Sequence, residues 1–138
     1  MQPDTKLLET YLHEHIPITR SMGVIVSRIE SDLLELKAPI DPNINHRETI
    51  FGGSASAVAI LSAWGLVHFR LLNENINSRL VIQKNSMNYL KPMESNFSSQ
   101  FRISDQGDWE KFIIILKRRQ ISRIHRTSHL DCRGEKNR

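Results

Sequence analysis

Within the fourteen residues from Asn43 to Ser56 the chain gathers side chains able to work on a carbonyl group. Two asparagines, Asn43 and Asn45, and a histidine, His46, stand just ahead of Phe51-Gly52-Gly53-Ser54, and Ser56 follows two residues on. A histidine can act as a base near neutral pH, and an asparagine can orient a water or bind a carbonyl oxygen. If a helix opens at Gly52-Gly53, its first N–H groups are unpaired and lie at the positive end of its dipole, where a developing oxyanion is stabilised. Glycine lets a carbonyl approach that backbone closely, which makes the Gly53 N–H the candidate oxyanion donor. Each residue also has a plainer use. Asparagines cap turns, a glycine pair permits a tight turn, and Ser54 or Ser56 can cap or pack the helix. Asp41, His46 and Ser54 supply the residue types of a nucleophilic triad, but a serine nucleophile needs a base positioned beside it, which spacing does not establish.

These groups need a frame. Residues 4–14 read as an amphipathic helix, with Leu7, Leu8, Tyr11 and Leu12 at helical spacing. Pro17 breaks it, and Ile18–Met22 adds one turn before Gly23. Two β-rich runs, Val24–Glu30 and Leu33–Pro39, flank a Ser31-Asp32 turn and predict a hairpin. Residues 40–50 are turn-rich and polar, a loop of the kind that carries function. Residues 51–73 form a long helix, apolar on every face up to Trp64 and so buried on most sides. Trp64 and His68 read as packing residues along it. Strands are expected at Leu80–Leu90 and Phe97–Ser104, separated by Lys91-Pro92. In the first, alternation sends Gln83 and Asn85 to one face and Ser86 and Asn88 to the other, toward solvent or toward a second subunit's site. Residues 107–119 are two-sided. Trp109, Phe112, Ile113 and Leu116 fit a helix face, Ile113–Ile115 favours a strand, and periodicity favours the helix. Residues 121–132 read as a strand with Ile124, Leu130 and Cys132 on one side. The order predicts an α+β domain in which an antiparallel sheet wraps one apolar helix.

A chain of 138 residues, 39% hydrophobic and 25% charged, fits one domain with a real core and excludes wholesale disorder. A single cysteine, Cys132, excludes an intrachain disulfide framework and fits a reducing compartment. The most apolar stretch, about 14 residues from Ser54 to Val67, is shorter than the ~20 that span a bilayer. The N-terminus carries charges where a signal peptide would be apolar, so a cytoplasmic protein without membrane attachment is expected. His13 and His15 face apart, His125 and His129 fall in a predicted strand, and no spacing has the form of a zinc site, so neither a metal nor a bound cofactor is expected. Residues 1–101 hold nine Lys/Arg against ten Asp/Glu, and residues 102–138 ten against five, so the net charge of +4 is a C-terminal property. Lys117, Arg118, Arg119, Arg123 and Arg126 would attract anionic groups. With no nucleic-acid motif and no aromatics among these cations, nucleic acid is not an expected partner.

The text Asn43-Ile44-Asn45-His46-Arg47-Glu48-Thr49-Ile50-Phe51-Gly52-Gly53-Ser54, with Ala63-Trp64-Gly65, the Val81–Pro92 stretch and Trp109, resembles the hotdog-fold thioesterases. Over about residues 6–130 it is most similar to the thioesterase domain of the YiiD C-terminal-like family, which in some proteins follows an acetyltransferase domain. The resemblance implies a hotdog fold, a homodimer or dimer of dimers pairing edge to edge, and an acyl-CoA or acyl-carrier-protein thioester at the dimer interface. CoA would enter as part of the substrate. The helix N-terminus would face the thioester carbonyl, with Asn43, His46, Gly53, Ser54 and Ser56 as the catalytic candidates. Asn45, Phe51, Gly52, Gln83, Asn85, Ser86 and Tyr89 would contact substrate. The resemblance also implies a strand, not a helix, over 109–119.

Three departures separate this chain from that pattern. Phe51 stands where many relatives have a histidine before Gly-Gly. Ile60 stands where many place a carboxylate on the long helix, so the usual general base of that subgroup is missing. The sequence stops at Gly134–Arg138, where a hairpin to one more strand would be turning. The chain is thus expected to be a single domain over 1–138 with its final strand missing or altered. A catalytically silent acyl-thioester-binding module, or a partner of an acetyltransferase domain, is the alternative to a hydrolase.

Overall fold

The apolar run after Phe51 forms one helix of 22 residues, α3 (Gly52–Asn73), and the other elements arrange themselves around it. In the computed structural model, which describes residues 3–132, they are α1 (Pro3–His15), α2 (Ile18–Ser21), β1 (Ile25–Ile29), β2 (Leu33–Ala38), a 3₁₀ turn (Asp41–Asn43), β3 (Phe97–Arg102), α4 (Gln106–Arg119) and β4 (Ser128–Asp131). The strands make an antiparallel sheet in the order β1-β2-β3-β4. Leu34, Leu36 and Ala38 pair with Phe101, Ser99 and Phe97, and all six are buried. A bulge at Ser27 resets the alternation of β1, so Val26 and Ile29 both turn inward.

The helix lies against that inner face. Gly65 makes the approach possible, because a Cβ there would lie 2.7 Å from Leu34 Cδ2. Beside it the fully buried Ser62 places its hydroxyl 2.8 Å from Ser99 Oγ and 3.2 Å from Ser128 Oγ, and Ser128 donates to the Ala59 carbonyl at 2.8 Å. These hydroxyls satisfy one another across the helix–sheet seam, as buried polar groups must. On the far flank α1 covers β1 with Leu8 and Leu12, and the Glu9 carboxylate accepts the Val26 N–H at 2.9 Å, which blunts the sheet edge. The Tyr11 and Trp64 rings bracket His68, with centroids 4.5 and 4.7 Å from it. Burial, and then the neighbouring His15, hold the His68 imidazole below its usual pKa.

At the other end of the helix α4 begins on Asp105, whose carboxylate accepts the Gly107 and Asp108 N–H groups, and stops at the left-handed Gln120. Trp109 is buried and donates to Glu74 at 3.0 Å, and the Arg70 guanidinium lies 4.2 Å over its ring. Helical periodicity therefore holds over 107–119, and the strand that the resemblance implied there is corrected. A good N-cap and an apolar face of Trp109, Phe112 and Ile113 outweigh three consecutive isoleucines.

Two strand expectations change. Residues 80–90 form no strand. The segment finds no ladder among the described residues, and instead rests its two ends on α3: Leu80 accepts from Trp64 Nε1 at 3.0 Å and Tyr89 donates to Gly52 at 2.9 Å. The strand expected over 121–132 is confined to β4, where Leu130 is half-buried and its neighbours His129 and Asp131 are exposed. The hairpin expected at 134–138 lies outside the described residues. By length and composition α3 is also long and apolar enough to cross a membrane, which revises the 14-residue estimate; here 56% of its apolar window is buried in the domain.

Two side chains hold this frame at points a mutation can reach. The Asn43 amide, 2% exposed, donates to the Met22 and Pro39 carbonyls, both at 2.8 Å, while its backbone carbonyl accepts the Phe51 N–H at 2.8 Å. Asn43→Ala should lower the free energy of unfolding by about 1–3 kcal/mol, measured by urea titration, because two buried carbonyls lose their donor. Glu35 accepts from Ser27 at 2.7 Å and from Gln100 at 2.5 Å. Burial alone would raise its pKa, but those hydrogen bonds, with Lys37 and Arg28 nearby, outweigh burial and hold the carboxyl below 4.5. A pKa lowered by folding stabilises above the unfolded value and loses that effect as pH falls through the folded one. Glu35→Gln should therefore be less stable than the wild type at pH 7, and the gap should close as the titrations are repeated down to about pH 3.

Candidate active site

The loop before α3 is a small hairpin. Ile44 bridges Ile50, and the Asn45 N–H donates to the Thr49 carbonyl at 2.8 Å. The Asn45 side chain is consumed inside the loop: its oxygen accepts the Arg47 and Thr49 N–H groups at 2.8 and 3.1 Å, and its amide donates to Thr49 Oγ1 at 2.8 Å. Glu48 takes a left-handed conformation to close the turn. His46 is left exposed at the tip, without a hydrogen bond among the described residues. Both asparagines thus do the work of turn residues. Asn43 holds the loop from behind, with its Oδ1 buried and unpaired, and Asn45 fills it.

The chain then passes through Phe51 in an extended conformation and enters α3 with no side chain capping it. The first N–H groups of the helix are therefore free to serve a ligand. Gly53 is exposed, and a Cβ on it would lie 2.4 Å from the Phe51 ring, so the aromatic ring sits directly on the glycine backbone. Tyr89 flanks the same turn: its hydroxyl donates to the Gly52 carbonyl at 2.9 Å and its ring would meet a Gly52 Cβ at 3.4 Å. The Ile50 N–H donates to the Met93 carbonyl at 2.9 Å and brings 89–93 across the helix start.

Between these pieces lies a partly open cavity of about 390 Å³. The loop gives Thr49 and Ile50, the helix Gly52 and Ala55, and the crossing segment Tyr89–Met93. Apolar surface dominates its walls, and Lys91 is the charged residue among them. A largely apolar pocket lined by the first residue of an uncapped helix suits an apolar chain attached to a carbonyl.

Phe51, Gly52, Gly53, Ser54 and Tyr89 are thus brought together. Ser56 and Ile60 lie half-buried further along α3, and neither Ser54 nor Ser56 uses its hydroxyl among the described residues. Gln83, Asn85 and Ser86 are exposed in the unpaired segment, so the predicted alternation of faces does not arise. Asp41 is exposed in the 3₁₀ turn, and no hydrogen bond joins it to His46 or Ser54. The basic residues Lys117, Arg118 and Arg119 end α4, whose Trp109 meets α3 at Arg70 and Glu74. That contact is roughly 27 Å along the axis from Gly52 at 1.5 Å per residue. Arg126 pairs with Asp108. Among the described residues no group of three or more His, Cys, Asp or Glu could hold a metal ion. Sequence reasoning missed Thr49, Ile50, Ala55 and Leu90–Met93 as cavity walls. Lys91-Pro92 was visible only as a strand breaker, and the Ile50–Met93 bond leaves no local signature.

Comparison with known proteins identifies the family and the fold. Residues 5–137 match the model of the family YiiD_C, described as "Putative thioesterase (yiiD_Cterm)". A crystal structure of the protein OLEI01261, of unknown function, from Chlorobaculum tepidum TLS superposes with a TM-score of 0.90 at 28% identity, covering 94% of this chain and 80% of that one. The "putative thioesterase" from Shewanella oneidensis gives 0.76 at 24% identity, over 95% and 88% of the two chains. The mouse thioesterase superfamily member 2 gives 0.56 at 14% identity over 78% of each. The last two likenesses speak for the fold. With one long helix packed on an antiparallel sheet and 133 consecutive residues matched, this chain is a hotdog-fold member of the YiiD C-terminal thioesterase family.

Proposed function

We propose that this protein hydrolyses an acyl-CoA or acyl-carrier-protein thioester by attack of water at the N-terminus of α3. The observation that carries the reading is the uncapped helix start, whose first residue Gly52 lines an apolar cavity. The acyl chain would occupy the cavity, and the thioester carbonyl would point at the Gly53 and Ser54 N–H groups. Attack turns that carbonyl oxygen into an oxyanion, which those donors and the helix dipole stabilise. The tetrahedral intermediate then collapses to the carboxylic acid and expels the thiolate.

A water nucleophile needs a base. Ile60 cannot supply one. His46, on the loop that leads into α3, is the titratable candidate, with Ser54 or Ser56 helping to hold the water. Asn43 acts at one remove, through the loop it fixes. Exposed apolar residues around the helix start, Ile44 (40%), Phe51 (57%), Tyr89 (60%) and Leu90 (88%), support a homodimer or dimer of dimers that covers this face. Lys91 at the cavity wall would meet the anionic end of the carrier. A cytoplasmic setting, where such thioesters are made and used, fits this reading.

A second reading has its own support. Ile60 in place of a carboxylate, and His46 pointing outward from the loop tip, favour a module that binds acyl thioesters without cleaving them. Thiol release from a panel of acyl-CoAs, short, long and aryl, at several protein concentrations separates the two. The hydrolase reading expects release that depends on the acyl group and falls about tenfold or more in His46→Ala with unchanged thermal stability. Full activity in His46→Ala would remove that residue from the mechanism. A folded wild type that releases no thiol from any member would leave the binding module.

A further inference from the structure

Tyr89 is the side chain that ties the strandless 80–93 segment to the first residue of α3. Its hydroxyl is 2.9 Å from the Gly52 carbonyl, its ring lies alongside that glycine, and the ring is a wall of the cavity. It is nevertheless 60% exposed, so its position rests on one tether and not on burial. The pocket is also lined by Ile50 and Ala55, 7% and 2% exposed. Those two are held by the core, whereas Tyr89 is held by one hydrogen bond.

The volume sets a scale. A dry apolar cavity of about 150 Å³ holds a benzene ring, or ~25 Å³ per carbon. On that scale 390 Å³ would enclose ~16 carbons if the cavity were sealed. It is partly open, so fewer carbons than that are enclosed.

Resting on the thioester reading above, we propose that Tyr89 sets the length of the acyl group, and that the cavity encloses a chain shorter than the ~16 carbons a sealed volume would hold. Within the enclosed length each methylene removed from water is worth ~0.8 kcal/mol, about fourfold in affinity or kcat/KM. Beyond it, further carbons lie in solvent and add nothing. Specificity then shows as a slope that breaks to a plateau, and the break marks the Tyr89 wall. Removing the ring opens the cavity alongside the first turn of α3 and moves the break to longer chains.

The test measures kcat/KM for straight-chain acyl-CoAs of about two to sixteen carbons, and binding of the matching non-hydrolysable acyl-CoA thioethers by calorimetry, for wild type, Tyr89→Phe and Tyr89→Ala. The expected wild-type break falls below ~16 carbons. It should move at least two carbons longer in Tyr89→Ala, and less in Tyr89→Phe, which keeps the ring and loses the tether. Tyr89 is exposed, so both variants should melt with the wild type, and Tyr89→Phe tests the tether if Tyr89→Ala does not fold. Hydrolysis with a break that ignores both substitutions, or with no break, overturns the inference and leaves a thioesterase. Length-selective thioether binding that shifts with Tyr89, without turnover, upholds the inference and overturns hydrolysis. Neither turnover nor binding overturns both.

Discussion

The burial of α3 is the constraint from which the rest of the structure follows. Its 22 residues carry apolar side chains around most of the circumference, so no single sheet face could cover them. Gly65 lets the helix sink onto Leu34, the Ser62–Ser99–Ser128 hydroxyls close the seam toward β4, and Tyr11 reaches over from α1 to stack with Trp64 and His68. Roughly 25 cal/mol per Å² of apolar surface removed from water is the driving force. The three serines add little net energy, but they fix the rotation of the helix, because a turn about its axis would strand buried hydroxyls without partners.

A helix fixed in rotation and depth delivers its first turn to a fixed place. The loop before it is rigid for independent reasons. Asn43 anchors its base to Met22 and Pro39, and Asn45 spends all its hydrogen-bonding capacity inside it. What the loop does not do is cap the helix. Phe51 has no side-chain acceptor to offer, and an aspartate or serine there would occupy the N–H groups that the site leaves open. Omitting the cap costs about 0.5–2 kcal/mol of helix stability. A helix so heavily buried along its length tolerates that loss easily, which is how the same core both supports the site and permits its exposure.

Elements whose signal is local were legible in the sequence. The hairpin around Ser31-Asp32, the breaks at Pro17 and Gly23, α3 and α4 each rest on a turn, a cap or a 3.6-residue period within a single window. The α4 case shows local periodicity outranking a family analogy: Trp109 and Phe112 had to share a face to reach Arg70 and the core. The error at 80–90 has the opposite cause. Its β-rich composition describes what the residues would do beside another strand, and no local pattern reports whether that neighbour is present. The site divides the same way. Gly52, Gly53 and Ser54 were legible because a helix start is local, whereas Ile50 and Met93 become neighbours through one backbone bond across 43 residues.

The same separation bears on how the site is completed. Within one chain the helix start is bordered by the buried Ile50 and Ala55 and by residues that stay largely exposed, Phe51, Tyr89 and Leu90. Aromatic and aliphatic side chains at such exposure are unfavourable in water unless something covers them at the moment of function. The acyl chain can cover only the cavity side of Tyr89, because the tether to Gly52 presses the rest of that ring against the helix. The Phe51 ring lies against Gly53 and does not line the cavity, so the hydrocarbon does not cover it. In the proposed dimer, substrate and a second subunit would therefore have separate surfaces to cover, and closing the site over the Gly53 N–H would fall to the subunit. A water-excluding lid of that kind strengthens the oxyanion contact, since the same donors act more strongly in a lower dielectric.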